Sequence, residues 1–160
     1  MLDNISGMLK VFMDRTLCIG NPLSEKDEHG EYRGGKPKFF KNGTPPKIVV
    51  ISSGGYPQRS NFQVVSLLMK RVARNFHMEL IAEIYATEGA LLTAQIKELE
   101  PIINEYKEIL HKAGQEIVTN LKISEETQKL LEKSFVPEDV YVQKTNELFQ
   151  TVMTRSENQS

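Results

Sequence analysis

Two small polar residues and two glycines, Ser52-Ser53-Gly54-Gly55, stand between an apolar run at 48–51 and an aromatic, Tyr56, with Pro57 and a long amphipathic segment after them. The chemistry of such a turn is that of the main chain. Without a Cβ at 54 and 55 the backbone can approach a ligand, and ligands of open α/β sheets sit outside the carboxyl ends of the strands. The same residue types also make an ordinary tight connection, so the turn names a place and not an activity. Thr87-Glu88-Gly89, after the apolar run 79–85, is a weaker candidate of the same kind. Nucleophilic and metal chemistry have less footing. Cys18 is single and can form neither an internal disulfide nor an iron–sulfur site within one chain. His29 lies in a charged run with no partner at ligand spacing and reads as solvated. No Ser-His-Asp or Cys-His arrangement and no Walker-type glycine-lysine loop is recognisable.

Stepping along the elements that would position these turns, Asp3, Asn4 and Ser6 are all capable N-caps, and Ile5, Leu9, Phe12 and Thr16 recur at helical spacing. Met8, Val11 and Met13 widen the apolar stripe, so this helix calls for cover on more than one side. Segment 21–44 is polar, with glycines at 30, 34, 35 and 43, and predicts a hairpin or an irregular excursion. The unbroken run 48–51 predicts a strand buried on both faces of a parallel sheet. Phe62, Val65, Met69, Val72 and Phe76 then step by three and four, a helix over 60–76. Lys70, Arg71 and Arg74 lie on its other side as a solvated face, or as attractors of a ligand's phosphate. His77 follows as a helix-end cation.

The run 79–85 predicts a second strand, suited to a sheet edge. Helices follow over 99–117, from an N-cap at Ser124, and from Pro137 onwards. Residues 1–150 read as one domain, with 151–160 as a frayed tail. A net charge of -1 over 160 residues supplies no electrostatic footprint for nucleic acid or an acidic membrane surface. No apolar run approaches a membrane span of about 20 residues and none has signal-peptide form, so a cytoplasmic location is expected.

The run Asp3-Asn4-Ile5-Ser6-Gly7-Met8-Leu9-Lys10-Val11-Phe12-Met13-Asp14-Arg15 resembles a segment of the flavodoxin-like NAD(P)H-dependent FMN reductases and of their relatives, the iron–sulfur flavoproteins. In that family x-x-Ser-Gly-x-Leu-Lys-x-Phe-x-Asp-Arg follows the loop after the third parallel strand. The resemblance continues through 47–56, the helix after it and 113–148, and covers the second half of the family's domain. It implies an α/β fold: a flavodoxin-like three-layer parallel sheet with helices on both faces, here partial and lacking the amino-terminal strands and the phosphate-binding loop. It also implies two ring-contacting loops. Asp3, Asn4, Ile5 and Ser6 would lie on one side of an FMN isoalloxazine and Ser53, Gly54, Gly55 and Tyr56 on the other, with main-chain N–H groups tuning the flavin. The single cysteine departs from the iron–sulfur members, so no cluster is assigned.

The function this implies is an FMN oxidoreductase that moves electrons between NAD(P)H, as co-substrate, and a small-molecule or protein acceptor. No nucleic acid or membrane is expected as partner, and a homo-oligomer is expected because two strands alone leave backbone groups unpaired. Members of the family use the region corresponding to 21–44 to cover a neighbouring subunit or the flavin edge, and Phe39 and Phe40 would anchor such a contact. The competing readings are a non-catalytic interaction module that retains half of the fold, and a flavodoxin-type electron carrier.

Overall fold

The computed structural model describes residues 5–16, 18, 20–37 and 44–157. Asp3, Asn4, Phe39, Phe40 and Gly43 lie outside them. The described residues form a mixed α/β structure whose centre is one parallel pair of strands. In chain order the elements are α1 (Gly7–Thr16), β1 (Asn21–Lys26), β2 (Tyr32–Gly35), β3 (Lys47–Ser53), α2 (Gln63–Asn75), β4 (Glu79–Ala86), α3 (Glu100–Asn120), α4 (Glu125–Leu131) and α5 (Glu138–Glu157).

β3 and β4 run parallel from Lys47↔Glu79 to Ser53↔Ala86, with a register shift between Ile48 and Val49. A parallel pair needs a crossover, and α2 supplies it. Its stripe packs Phe62, Val65 and Met69 against Val50, Ile48, Leu80 and Tyr85, and the Phe62 and Tyr85 rings stack with centroids 4.7 Å apart. On the other side of β4, Ile84 and Ala86 meet Ile103, Tyr106 and Ala113 of α3, Leu131 of α4, and Phe135. Helix α5 carries the chain on to Glu157, past the point where the sequence predicts fraying.

The expectation that 48–51 is buried on both faces does not hold. Burial alternates along β3: Val50 is buried against α2, whereas Ile51 on the opposite face is 71% exposed and Val49 is exposed with it. The cover given by α3 and α4 reaches β4, and among the described residues no third strand pairs with the outer edge of β3. An unbroken apolar run marks a strand whose two faces both call for cover; it does not say that the cover is present. Helix α1 is in the same position, since none of its residues is buried. Only Ile5, just before it, packs on the cluster of Val50 and Phe62. Ser6 is the cap of α1, its hydroxyl accepting from the Leu9 N–H at 3.3 Å.

Segment 21–44 contains the hairpin that its glycines announce. β1 and β2 pair antiparallel, and Gly30 takes the left-handed conformation (φ 78°) in the turn between them. The hairpin docks on the carboxyl-terminal end of α2, which corrects the reading of Arg71 and Arg74 as a solvated face. Arg74 Nε donates to Asp27 Oδ2 at 2.7 Å, and Arg71 Nη1 to Glu31 Oε2 at 2.9 Å. Lys70 pairs with Glu83 at 3.4 Å. His29 remains exposed, 3.5 Å from Glu28.

His77 ends α2 by its backbone more than by its charge. Its φ of 57° lets Met78 N–H reach the Ala73 carbonyl at 2.8 Å and His77 N–H reach that of Arg74 at 3.2 Å, a Schellman closure made without glycine. The ring nitrogen Nε2 lies 2.7 Å from the Gly34 carbonyl, so the residue that ends the helix also holds the hairpin.

Ser124 caps α4 as its position before Glu125 and Glu126 predicts, accepting from Thr127 N–H at 3.2 Å. Glu116 of α3 completes the joint, taking the Ser124 N–H and the Thr127 hydroxyl, both at 2.8 Å. These donors, the Ser124 N–H first, hold the Glu116 carboxyl below the ordinary glutamate range. The unfolded chain therefore takes up a proton before the folded one as pH falls, and the stability that Glu116 contributes is present above the ordinary glutamate range and lost below it. Urea unfolding followed from neutral pH into the acid range is expected to show this loss, and Glu116→Gln is expected to make that limb shallower.

Candidate functional site

The carboxyl ends of β3 and β4 are joined by their turns. Gly54 N–H donates to the Ala86 carbonyl at 2.9 Å, Gly89 N–H to the Gly54 carbonyl at 2.7 Å, and Glu88 N–H to the Tyr56 carbonyl at 3.4 Å. The two glycine-containing turns singled out in the sequence are thus one structure. Ser53, Gly54, Gly55 and Tyr56 stand at the carboxyl end of the parallel pair. Ile5, at the other segment implied by the resemblance, packs on the cluster of Val50, Phe62, Val65 and Tyr85, with Ser6 next to it in the chain; Asp3 and Asn4 are outside the described residues.

The two glycines at 54 and 55 do different things. A Cβ on Gly54 would stand 2.9 Å from Cζ of Phe62, so that glycine is accounted for by the ring packed under it. A Cβ on Gly55 would meet nothing within 4 Å. Gly89 belongs with Gly54, because a Cβ there would lie 2.9 Å from that of Ser53 and 3.2 Å from the Gly54 carbonyl. The N–H groups of Gly55 and Tyr56 have no acceptor among the described residues. With the Tyr56 ring 63% exposed, the turn offers an open backbone, two free donors and an aromatic surface.

Two further residues carry this end of the molecule: Glu88, from the weaker candidate turn, and Tyr141, to which the sequence reading gives no role at the site. Glu88 is fully buried, at φ 55°, and its Oε2 accepts from Phe135 N–H at 2.8 Å, tying the turn before α5 to the end of β4. Its Oε1 is buried with no hydrogen-bond partner among the described residues. Tyr141 of α5 donates its hydroxyl to the Gly55 carbonyl at 2.6 Å. The sequence marks 87–89 as a weaker ligand-contact candidate and gives no sign that Glu88 is buried, and nothing in the sequence around Tyr141 points to a residue 86 positions away.

Burial raises the Glu88 carboxyl above the ordinary range, against the pull of the Phe135 and Val136 N–H groups and with the help of the Glu138 charge. Arg59 stands behind the junction, Nη1 donating to the Tyr85 carbonyl at 3.0 Å and Nη2 lying 3.6 Å from Glu132. The Tyr85 hydroxyl donates to Glu83 Oε1 at 2.8 Å. Burial in the first place, and then that carboxylate, push the phenol well above its usual range, so it stays protonated.

The site at the turn is a binding geometry without a reacting side chain. Its donors are main-chain N–H groups, which suit the carbonyl and ring-nitrogen edge of a flat heteroaromatic molecule. No group of three or more metal-ligand side chains occurs among the described residues. No helix among them is long and apolar enough to cross a membrane. The hairpin lies at the other end of the parallel pair, beside the start of β4. Its described residues, 21–37, do not cover this turn; Phe39 and Phe40 lie outside the described residues. No protein-family model, curated protein or solved structure matches this chain.

Two substitutions separate packing from access. Gly54→Ala places a methyl against the Phe62 ring and is expected to cost about 1–3 kcal/mol, whereas Gly55→Ala enters open space and is expected to stay within about 0.5 kcal/mol. Urea midpoints at unchanged slope measure both. Glu88 gives a pH response of opposite sign to that of Glu116. The unfolded chain loses the Glu88 proton first as pH rises, so this contribution is full below the ordinary glutamate range and declines above it, until the folded-state carboxyl has ionised. Glu88→Gln is expected to remove the decline, read from unfolding free energies across that interval.

Proposed function

We propose that this chain contributes the ring-binding side of an FMN site in a flavodoxin-like NAD(P)H oxidoreductase, as the carboxyl-terminal half of its three-layer fold. The observation that supports this reading is a glycine turn at the carboxyl end of a parallel pair, where the N–H groups of Gly55 and Tyr56 have no acceptor among the described residues. Packing of β4 between α2 on one side and α3 and α4 on the other favours the three-layer reading. The outer edge of β3, unpaired among the described residues and with Val49 and Ile51 exposed beside it, favours a sheet that continues into further strands.

The residues present fit one part of the cofactor. Gly55 and Tyr56 offer donors to the polar edge of an isoalloxazine, and the Tyr56 ring offers a surface against which it stacks. Tyr141 holds the Gly55 carbonyl and so sets the direction of the N–H that follows it. Glu88 and Phe135 fix α5 over the turn. When bound, the flavin supplies the electron-transfer chemistry, which asks of the protein binding, orientation and exclusion of water in preference to an acid or base. The phosphate is left to the other half of the fold.

A titration of the purified chain with FMN and with riboflavin, followed by flavin fluorescence, tests this directly. Ring contacts without a phosphate contact predict that both bind with the same affinity, and that Tyr56→Ala weakens both by up to about tenfold. Failure of both flavins to bind would sink the proposal, and a strong preference for FMN would sink the division of the site.

The interaction-module reading has its own support in the exposed apolar residues of α1, of α5 and of β3, and we propose a homo-oligomer on the same ground. Sedimentation velocity of a colourless, flavin-free protein in which Ile51→Lys dissolves an oligomer would favour that reading over the first.

A further inference from the structure

The docked hairpin encloses a second cleft, of about 530 Å³, between β2 and the carboxyl-terminal end of α2. Arg33, Arg71 and Arg74 all line it, together with the backbone of Gly34 and Gly35, and no carboxylate does. Three acidic side chains grip these arginines: Glu25 holds Arg33 at 3.3 Å, Asp27 holds Arg74 at 2.7 Å and Glu31 holds Arg71 at 2.9 Å. Asp27 itself lines an adjoining cleft, together with Glu28 and His29, to which Arg33 and Arg74 also contribute. Burial pushes the Asp27 carboxyl up, but the Arg74 guanidinium and the Glu31 and His29 N–H groups outweigh it and keep the charge in place. The acids fix the guanidinium groups in position and leave donors unused.

Those unused donors are specific. Arg33 spends Nη1 on the Arg74 carbonyl and Nη2 on Glu25, while its Nε is buried with no hydrogen-bond partner among the described residues. Arg71 spends Nη1 on Glu31 and keeps Nε and Nη2. Guanidinium groups held in fixed positions suit the oxygens of a phosphate better than a flexible ammonium would. Tyr32 and Phe76 add aromatic surface to the same cleft.

We propose that this cleft binds the phosphate group of a small phosphorylated molecule with an apolar or aromatic body, through the donors of Arg71 that its ion pair leaves over, with Arg33 and Arg74 adding positive charge to the same wall. The site is independent of the flavin reading, since it lies at the opposite end of the parallel pair, and it survives if that reading fails.

Phenyl phosphate and inorganic phosphate, titrated at constant ionic strength against chloride and followed by backbone amide shifts, provide the test. Saturable shifts are expected at Gly34, Gly35 and Arg71, with phenyl phosphate binding more tightly. Arg71→Gln, at a side chain 55% exposed in its ion pair and so replaceable without loss of the fold, is expected to weaken binding about tenfold. Glu31→Gln frees Arg71 from its carboxylate and is expected to tighten binding, which a purely structural ion pair would not do. Shifts no larger than those in chloride, or an Arg71→Gln protein that binds as the parent does, would overturn the site. Equal affinity for the two phosphates would overturn the assignment of an ester with an apolar body.

Discussion

The bond from Gly89 N–H to the Gly54 carbonyl is the constraint on which this end of the molecule depends. Two parallel strands by themselves are a weak structure, because each leaves one edge unpaired and the connection between them is long. Here the pairing does not stop at Ser53↔Ala86; it is carried past the strand ends by three more backbone hydrogen bonds between the following turns. That continuation needs a residue without a side chain at 89, where Ser53 is close, and another at 54, where the Phe62 ring is close. Phe62 in turn stacks on Tyr85 and stands in the cluster that receives Ile5. One close approach of backbone therefore organises the first turn of the crossover, the end of β4 and the docking of the amino-terminal segment.

A buried carboxylate extends the same junction to the end of the chain. Glu88 stands in the left-handed region because Glu88 N–H and Gly89 N–H both turn towards the 54–56 segment, and its side chain then points to the N–H groups before α5. Removing a carboxyl from water is costly unless it is hydrogen-bonded, and Glu88 is satisfied at only one oxygen. The strain and the burial are concentrated where Tyr141 reaches the Gly55 carbonyl. Packing has closed the space over Gly54 and left Gly55 open, so the turn is rigid and accessible at once, a combination suited to binding.

At the other end of the parallel pair the interactions are ionic. The hairpin has a small apolar contribution to make and is held by arginines of α2, by Arg33 returning to the Arg74 carbonyl and by His77 on Gly34. Surface ion pairs are individually weak, but the Asp27–Arg74 pair is largely buried and shares its arginine with Glu31 and with the Tyr32 carbonyl. The two ends of the molecule thus differ in chemistry: backbone donors with an aromatic ring at one, guanidinium groups at the other.

Local pattern by itself determined the elements that a single stretch can encode. The 3.6-residue stripe of α2, the strand at 79–86, the Ser124 cap and the glycine-rich hairpin were all legible, because each follows from side-chain periodicity or turn chemistry within a few residues. That a glycine turn closes the carboxyl end of an apolar strand was legible for the same reason. Only the tertiary structure decided what long-range pairing controls: that Arg71 and Arg74 hold a hairpin some 40 residues earlier in the chain, that Gly54 makes room for Phe62, and that Glu88 is buried. It also decided that β3 keeps a bare face. A run of apolar side chains records a demand for cover, and whether the demand is met depends on what else the fold brings to that surface.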